Sequence, residues 1–157
     1  NGLSKDLQDQ AEKLTSQVIR FEVEFPQPEV AERLQLDAKM PVYRIVRLRL
    51  LDGEPYVLEH TFMPVDLAPG LDEEVLKKSV YDFLFNQLGL KFAGSYKHIT
   101  AAKPDHYDQD YLKCHPSDPV LEVEQVVYLE NGRPIEYLRS RNRYDIRGYS
   151  LLDVKNN

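Results

Sequence analysis

The sequence predicts an α+β domain with a largely antiparallel sheet, and two observations support that prediction. A unit consisting of a short helix and a β-hairpin occurs twice, over residues 31–59 and 108–138, about 78 positions apart. An Asp-Gly pair at 52–53 and an Asn-Gly pair at 131–132 each lie between runs rich in β-branched and aromatic residues. Such pairs favour tight hairpin turns, because both residues tolerate positive φ. Hairpins join antiparallel neighbours, and the helices fall between them, which is typical of α+β domains.

Length and composition limit the classes of protein to consider. At 157 residues, with 42% hydrophobic and 29% charged residues, the chain fits one globular domain with one core. No apolar run approaches the ~20 residues that a membrane-spanning helix requires. A formal net charge of −6 argues against a nucleic-acid-binding surface. Cys114 has no second cysteine to pair with, and the chain starts without a signal-peptide pattern, so we expect a cytoplasmic protein in which this thiol is buried.

Local signals along the chain predict the order of its elements. Residues 1–15 are interpreted as a linker from a missing N-terminal domain, and residues 16–157 as the domain itself. Pro28 suits the first turn of a helix, Ser79 followed by Asp82 resembles a capping box, and Gly89 offers a helix stop. The six predicted strands are 16–25, 42–51, 54–63, 91–103, 119–130 and 133–144, and the predicted helices are 29–36, 71–78, 79–89 and 104–114.

The strongest candidate for a binding site is a pair of arginines on one predicted strand. Arg47 and Arg49 alternate with apolar residues, so they share a strand face and lie about 6.6 Å apart along it. Two guanidinium groups at this spacing could bind one phosphate or carboxylate from two sides. The alternative is that both arginines lie on a solvated outer face, paired with local acidic residues. Ser79 and Tyr81 are further candidates, because a helix start presents unpaired N–H groups to an anion.

Other polar residues have simpler explanations. Cross-strand pairing of glutamates with arginines accounts for most charges of the second hairpin, which leaves Glu136 as its one plausible ligand contact. The four histidines lack the spacings that metal sites require, so neither a metal nor a cofactor is expected. The sequence also contains no nucleotide-binding loop, kinase motif or hydrolase elbow. The residues therefore leave two interpretations of the arginine pair open, which are binding of a small anion and a solvated face with local ion pairs.

Four segments, RLRLLDGEPYVLEHTFMP, PGL, SVYDFL and NGRPIEYLRSRNRYD, occur in an order and spacing that resemble a known family. Over residues 16–149 the chain resembles the effector-binding (UTRA) domain of GntR-type bacterial transcription regulators of the HutC subgroup. The resemblance implies a chorismate-lyase-like fold without catalysis that binds a small effector, often a sugar phosphate, and forms a homodimer. It also implies that DNA is bound only by an N-terminal winged helix-turn-helix domain that is missing here.

The resemblance also indicates which positions would contact the effector. Matched position by position, the family's binding residues correspond to Arg47, Arg49, Glu59, Ser79, Tyr81 and Glu136. Six residues after this last glutamate, relatives commonly have a tyrosine, whereas this chain has Asn142, which offers hydrogen bonds but no stacking ring. The stretch SRNRYD is also similar to repressors that sense trehalose phosphate.

One geometric condition decides whether Glu59 belongs to this site. With a two-residue loop at 52–53 and regular pairing, Arg47 would lie opposite Leu58, and Glu59 would point to the other face. A three-residue loop, 52–54, would place Glu59 opposite Arg47 on the same face. We therefore predict the three-residue loop.

Three functions are compatible with these observations. The favoured one is a ligand-sensing domain of a transcription regulator, in which the arginines bind an anionic group and the glutamates accept hydrogen bonds from hydroxyl or amino groups. A chorismate-lyase-like enzyme acting on a small carboxylate is the main alternative, because it shares the fold. A dimerisation module without a ligand would be favoured if Arg47 and Arg49 were fully solvated.

Overall fold

The structure, a computed structural model, describes residues 14–155 and contains one six-stranded antiparallel sheet. The strand order is β1-β2-β3-β6-β5-β4. The strands are β1 (Leu14–Glu24), β2 (Val42–Leu51), β3 (Glu54–Pro64), β4 (Phe92–Ala102), β5 (Val120–Leu129) and β6 (Pro134–Arg143). The helices are α1 (Pro28–Leu34), α2 (Glu73–Lys77) and α3 (His106–Tyr111), with a 3-10 turn at Val65–Leu67 and a π-helix at Asp82–Gln87. The α+β class and the six predicted strands are confirmed.

The two repeated units form the two halves of the sheet. The first residues of β1 and β4, Leu14 and Phe92, are 78 positions apart, as are Val42 and Val120, which begin β2 and β5. The first unit therefore runs β1-α1-β2-β3 and the second runs β4-α3-β5-β6, and β3 pairs with β6 at the centre. Strands β1, β2 and β3 of the first unit correspond to β4, β5 and β6 of the second. From either edge towards the centre, the sheet therefore contains the first, second and third strands of one unit, which gives it an approximate twofold arrangement.

Helix ends differ from their predicted positions for local reasons. Helix α1 has Pro28 in its first turn, as predicted, but it ends at Leu34 because Gln35 adopts a left-handed conformation with φ of 53°. Helix α3 is shorter than the predicted 104–114, since Asp105 caps its start and accepts a hydrogen bond from the Asp108 amide. The predicted helix 79–89 is largely the π-helix, and its predicted stop, Gly89, has φ of 72°.

The first strand begins at Leu14, inside the stretch interpreted as a linker, and ends at Glu24. Its apolar residues do not alternate regularly because the pairing with β2 shifts between Val18 and Arg20. On either side of this irregularity Val18 pairs with Arg47 and Phe21 with Ile45, so both apolar side chains reach the same core. Residues 1–13, the rest of the predicted linker, lie outside the described residues.

The predicted three-residue loop of the first hairpin is wrong, although its consequence holds. Leu51 pairs with Glu54 across a two-residue Asp-Gly turn in which both residues have positive φ, 53° and 79°. A register shift follows, because Arg49 pairs with Val57 while Leu50 pairs with Pro55, which leaves Tyr56 as the extra residue of a bulge. The bulge, not the loop, places Glu59 directly opposite Arg47. In the second hairpin, the Asn-Gly pair lies in a longer loop, 130–133.

The core lies on both faces of the sheet. One face, called here the site face, is covered by α2 and the π-helix, with Leu76, Phe83 and Leu84 packed against Ile45 and Met63. The opposite face is covered by the other two helices. There α1 packs near Val42, Val126 and Tyr137, and α3 and the segment after it pack near Val46, Leu48 and Leu58. Cys114 is buried in the second of these clusters, as predicted.

Candidate functional site

Charged side chains lie buried on the site face where β2, β3 and β6 meet. Arg47, Arg49 and Glu59 expose only 7%, 5% and 7% of their surface. The alternative in which the two arginines lie on a solvated outer face is therefore wrong. Burying three charged groups is costly unless they bind one another, so their contacts determine whether the sheet can accommodate them.

Both arginines bind the same carboxylate oxygen. Arg47 Nη2 and Arg49 Nη1 donate to Glu59 Oε1 over 3.1 and 3.2 Å. Burial would raise the pKa of Glu59, but the guanidinium charges of Arg47 and Arg49 lower it below its ordinary value. Glu59 is therefore an anion at neutral pH, and the three groups together carry an excess positive charge.

Arg47 also connects the sheet to the segment that covers it. Its Nη1 atom donates to the backbone carbonyl of Leu76 over 2.9 Å. Leu76 is fully buried near the end of α2 and packs in the same cluster as Ile45 and Met63. Arg47 thus joins β2 to α2 through this hydrogen bond and to β3 through Glu59.

A second carboxyl group on the same face is bound to Tyr81. The phenol of Tyr81 donates to Glu136 Oε1 over 2.8 Å. Burial raises the pKa of Glu136 to about 7, opposed by the hydrogen bond from Tyr81 and by the charge of Arg47, while the negative charge of Glu59 adds to the rise. Burial, together with Glu136, also raises the pKa of Tyr81 well above its ordinary value. The phenol is thus a hydrogen-bond donor. The carboxyl group of Glu136, with a pKa of about 7, is partly protonated at neutral pH.

Asn142 is completely buried on β6. Its Nδ2 atom donates to the carbonyl of Leu121 and to the hydroxyl of Ser140 over 3.2 and 3.0 Å, which fixes the orientation of the amide. Within residues 14–155, Asn142 Oδ1 has no hydrogen-bond partner. A buried acceptor in this state costs about 1–3 kcal/mol, and a donor that reached it would recover that energy.

Ser79 belongs to the turn that starts the π-helix. Its hydroxyl accepts a hydrogen bond from the Asp82 amide over 3.1 Å, so it caps this turn as predicted. The Asp82 carboxylate does not complete a capping box, since it accepts instead from the side chains of Asn86 and Gln87. Ser79 is partly exposed beside Tyr81, and its described contact is to the turn rather than to the arginines.

The remaining charges of the second hairpin lie on the opposite face and serve the fold. Arg141 donates to Asp108 and Glu122 over 2.8 and 2.9 Å, which attaches α3 to β6. Arg139 pairs with Glu122 as well. The predicted cross-strand pairing holds for Glu122 with Arg139 and Arg141, whereas Glu124 pairs with Arg33 of α1 and Arg143 with Asp145. Glu136 is separated from these residues because it lies on the site face.

Three residues near the site were not predicted. Ser140 pairs with Glu59 across the β3-β6 ladder. Alternate residues of a strand share a face, so the positions of Glu136 and Asn142 could have identified Ser140 between them. Arg147 and Tyr149 lie in the segment after β6, where neither periodicity nor a motif indicates that the chain returns to the sheet. Only the tertiary structure brings them close to Glu59.

Within the described range of 14–155, no group of three or more His, Cys, Asp or Glu side chains has the arrangement of a metal site. No helix in that range is long and apolar enough to cross a membrane.

Comparison with known proteins shows matches over most of the chain. The family described as the UTRA domain matches residues 9–146. The HTH-type transcriptional regulator GmuR of Bacillus subtilis is 51% identical over 144 residues, which cover 92% of this chain and 60% of GmuR. A solved structure of a GntR-family transcriptional regulator from Bacillus cereus is 30% identical, has a TM-score of 0.82, and aligns over 90% of this chain and 99% of that one.

A third relative is TreR of Bacillus subtilis, which is 27% identical over 82% of this chain and 54% of its own length. The solved effector-binding domain of TreR, described as a trehalose repressor, superposes with a TM-score of 0.81 at 24% identity, over 91% of this chain and 99% of that one. The chain thus spans 60% or less of the length of GmuR and TreR. These relatives are named transcriptional regulators rather than enzymes, and the chain belongs to the UTRA domain family of GntR-type transcription regulators.

Proposed function

We propose that this domain senses a small anionic metabolite, with a sugar phosphate as the favoured class. The observation on which the proposal rests is the buried pair of guanidinium groups that converge on a single oxygen of Glu59. Guanidinium groups arranged in this way suit an anion with several oxygens, because each group is always charged and presents N–H donors in a fixed plane. Glu136 has a pKa of about 7, so it does not fully cancel this positive charge.

Polar groups around the arginines provide contacts for the uncharged part of such a ligand. Glu59 and Glu136 would accept hydrogen bonds from sugar hydroxyl groups. The unpaired Oδ1 atom of Asn142 would accept another, which would remove the cost of its burial. Tyr81 and Ser79, at the start of the π-helix, would complete the site on the side of the covering segment. The name of TreR, a trehalose repressor, supports a sugar-related effector for this chain.

Regulation would follow from the contact between Arg47 and α2. A ligand oxygen that takes over a donor of Arg47 would weaken the hydrogen bond to the Leu76 carbonyl, and so change the position of the covering segment. In a cytoplasmic homodimer, this change would alter how an N-terminal winged helix-turn-helix domain binds DNA. A coupling free energy of about 1–3 kcal/mol between the two sites is typical of such regulators.

The test is the melting temperature of the domain with a panel of compounds: glucose 6-phosphate, trehalose 6-phosphate and inorganic phosphate, beside unphosphorylated glucose and trehalose. A sugar phosphate should raise the melting temperature, and its parent sugar should raise it less. Arg47→Ala should abolish this increase, because a charge-assisted contact of about 1.5–3 kcal/mol is lost.

Arg44→Ala is the matched control. Arg44 lies on the same strand but on the opposite face, where it pairs with Glu24. Each variant is compared with its own ligand-free melting temperature, since removing Arg47 also affects the folded state. An increase in melting temperature that survives in Arg47→Ala would exclude this residue from the site, and no increase with any phosphate would exclude the proposed ligand class.

A further inference from the structure

The chain after β6 turns back towards the site face. The amides of Ile146 and Arg147 donate to the carbonyl of Arg143, which reverses the chain direction directly after the strand. Tyr149 then comes within hydrogen-bonding reach of the Ser140 side chain. Ser140 lies opposite Glu59 in the ladder, so the returning segment, here called the tail (residues 144–155), reaches the edge of the charged cluster.

Two aromatic rings hold the side chain of Arg147. Its guanidinium carbon lies 4.9 Å from the ring centre of Tyr149 and 5.9 Å from that of Tyr56. Tyr56 is the extra residue of the β3 bulge, so the feature that places Glu59 on the site face also supplies one of these rings. Contacts with ring faces do not involve the N–H groups of a guanidinium, because these lie in its own plane.

Arg147 acts on the same carboxylate as the two buried arginines. Burial would raise the pKa of Glu59, and the positive charge of Arg147 joins those of Arg47 and Arg49 in lowering it. The site therefore has three guanidinium groups close to one carboxylate whose pKa they lower. That excess of positive charge matches the charge of a phosphate dianion better than two guanidinium groups would.

We propose that Arg147 is a further effector-binding residue, whose guanidinium group binds the anionic group of the ligand, while Tyr149 places the tail over the site. This inference rests on the proposed function, because it assigns a third cation to the same ligand.

The test measures binding of trehalose 6-phosphate and inorganic phosphate by calorimetry. In Arg147→Gln, the dissociation constant of the sugar phosphate should increase about 10-fold to 100-fold, as expected for loss of one charge-assisted contact. Arg147→Lys keeps the positive charge but lacks the planar guanidinium group. Its dissociation constant should lie between those of the wild type and Arg147→Gln. Arg133→Gln removes one cation from an exposed pair with Asp66 and should bind like the wild type.

A second measurement separates ligand contact from a purely structural role of Arg147. Hydrogen–deuterium exchange of the tail, residues 144–155, reports whether the tail is in place without changing Tyr149. Trehalose 6-phosphate should slow this exchange in the wild type. Arg147→Gln should weaken binding while the ligand-free exchange of the tail stays the same as in the wild type, which shows that the tail is still in place.

The outcomes distinguish this inference from the proposed function. If wild type binds the sugar phosphate and Arg147→Gln binds it equally well, the role of Arg147 is wrong and the proposed function stands. If the weaker binding is accompanied by faster ligand-free hydrogen exchange of the tail, Arg147 merely anchors the tail, and the inference is again wrong. If wild type binds neither phosphate compound, both proposals fail.

Discussion

At the scale of single residues, the site combines charges whose effects on one another are large because they are buried together. Glu59 is kept ionised by the guanidinium groups of Arg47 and Arg49. Glu136, on the same face, accepts a hydrogen bond from Tyr81, and burial raises its pKa to about 7. Two glutamates on one face therefore have different charge states at neutral pH. Neither state could be predicted from the sequence, since the pKa of each depends on burial and on partners distant in the chain.

The raised pKa of Glu136 predicts how stability changes with pH. Its pKa in the folded protein, about 7, lies above the ordinary value of 4.5, so the native state holds an extra proton between these values. The contribution of Glu136 to the unfolding free energy is fully present below pH 4.5 and is lost as the pH rises through 7. Glu136→Gln should remove this dependence and be more stable than wild type at pH 8, by on the order of 2–3 kcal/mol.

Urea unfolding between pH 4.5 and 8 measures this effect. Glu22→Gln is a suitable control, because Glu22 lies on β1 with a side chain that is 48% exposed. It should leave the pH dependence unchanged. If the unfolding free energy changes equally with pH in wild type and in Glu136→Gln across this range, Glu136 has an ordinary pKa.

At the scale of elements, the first hairpin determines which side chains share the site face. The Asp-Gly pair correctly predicted a turn, and the alternation correctly predicted that Arg47 and Arg49 share a face. The bulge at Tyr56 could not be predicted, because a bulge depends on how the strand twists against its neighbours rather than on a local signal. The predicted loop length was therefore wrong even though Glu59 reaches Arg47.

The turn of this hairpin provides a test of local strain. Gly53 has φ of 79° with open space around the position of a Cβ atom, so Gly53→Ala would be strained by backbone conformation and not by a clash. We expect a loss of about 1–2 kcal/mol in unfolding free energy. Gly94, on β4, also has open space and lacks a positive φ, so Gly94→Ala should cost less. Denaturant unfolding of both variants gives the comparison, and equal losses would contradict the explanation by strain.

At the scale of the whole molecule, the two repeated halves complete each other. Helix α1 packs against β6 of the second half, and α3 packs against β3 of the first. The β3-β6 ladder, from Leu58 to Phe62, joins the halves through the centre of the sheet. Each half therefore leaves apolar surface that only the other half covers.

This arrangement predicts that neither half folds alone. Fragments 1–90 and 91–157 separate the chain before β4. Each fragment should lack a cooperative thermal transition by circular dichroism, because its helix and central strand have lost their partners. Mixing the two fragments should restore the transition. A cooperative transition in either isolated fragment would show that the halves are independent.

The α+β class, the positions of the strands along the chain and the common face of Arg47 and Arg49 follow from the amino-acid sequence alone. These depend on periodicity and turn residues, which act between neighbours in the chain. Three features depend on the folded chain: the bulge that turns Glu59 towards Arg47, the raised pKa of Glu136, and the return of the tail to the site. Each of these arises from contacts between residues distant in sequence, whose burial and mutual charge exist only once the sheet has formed.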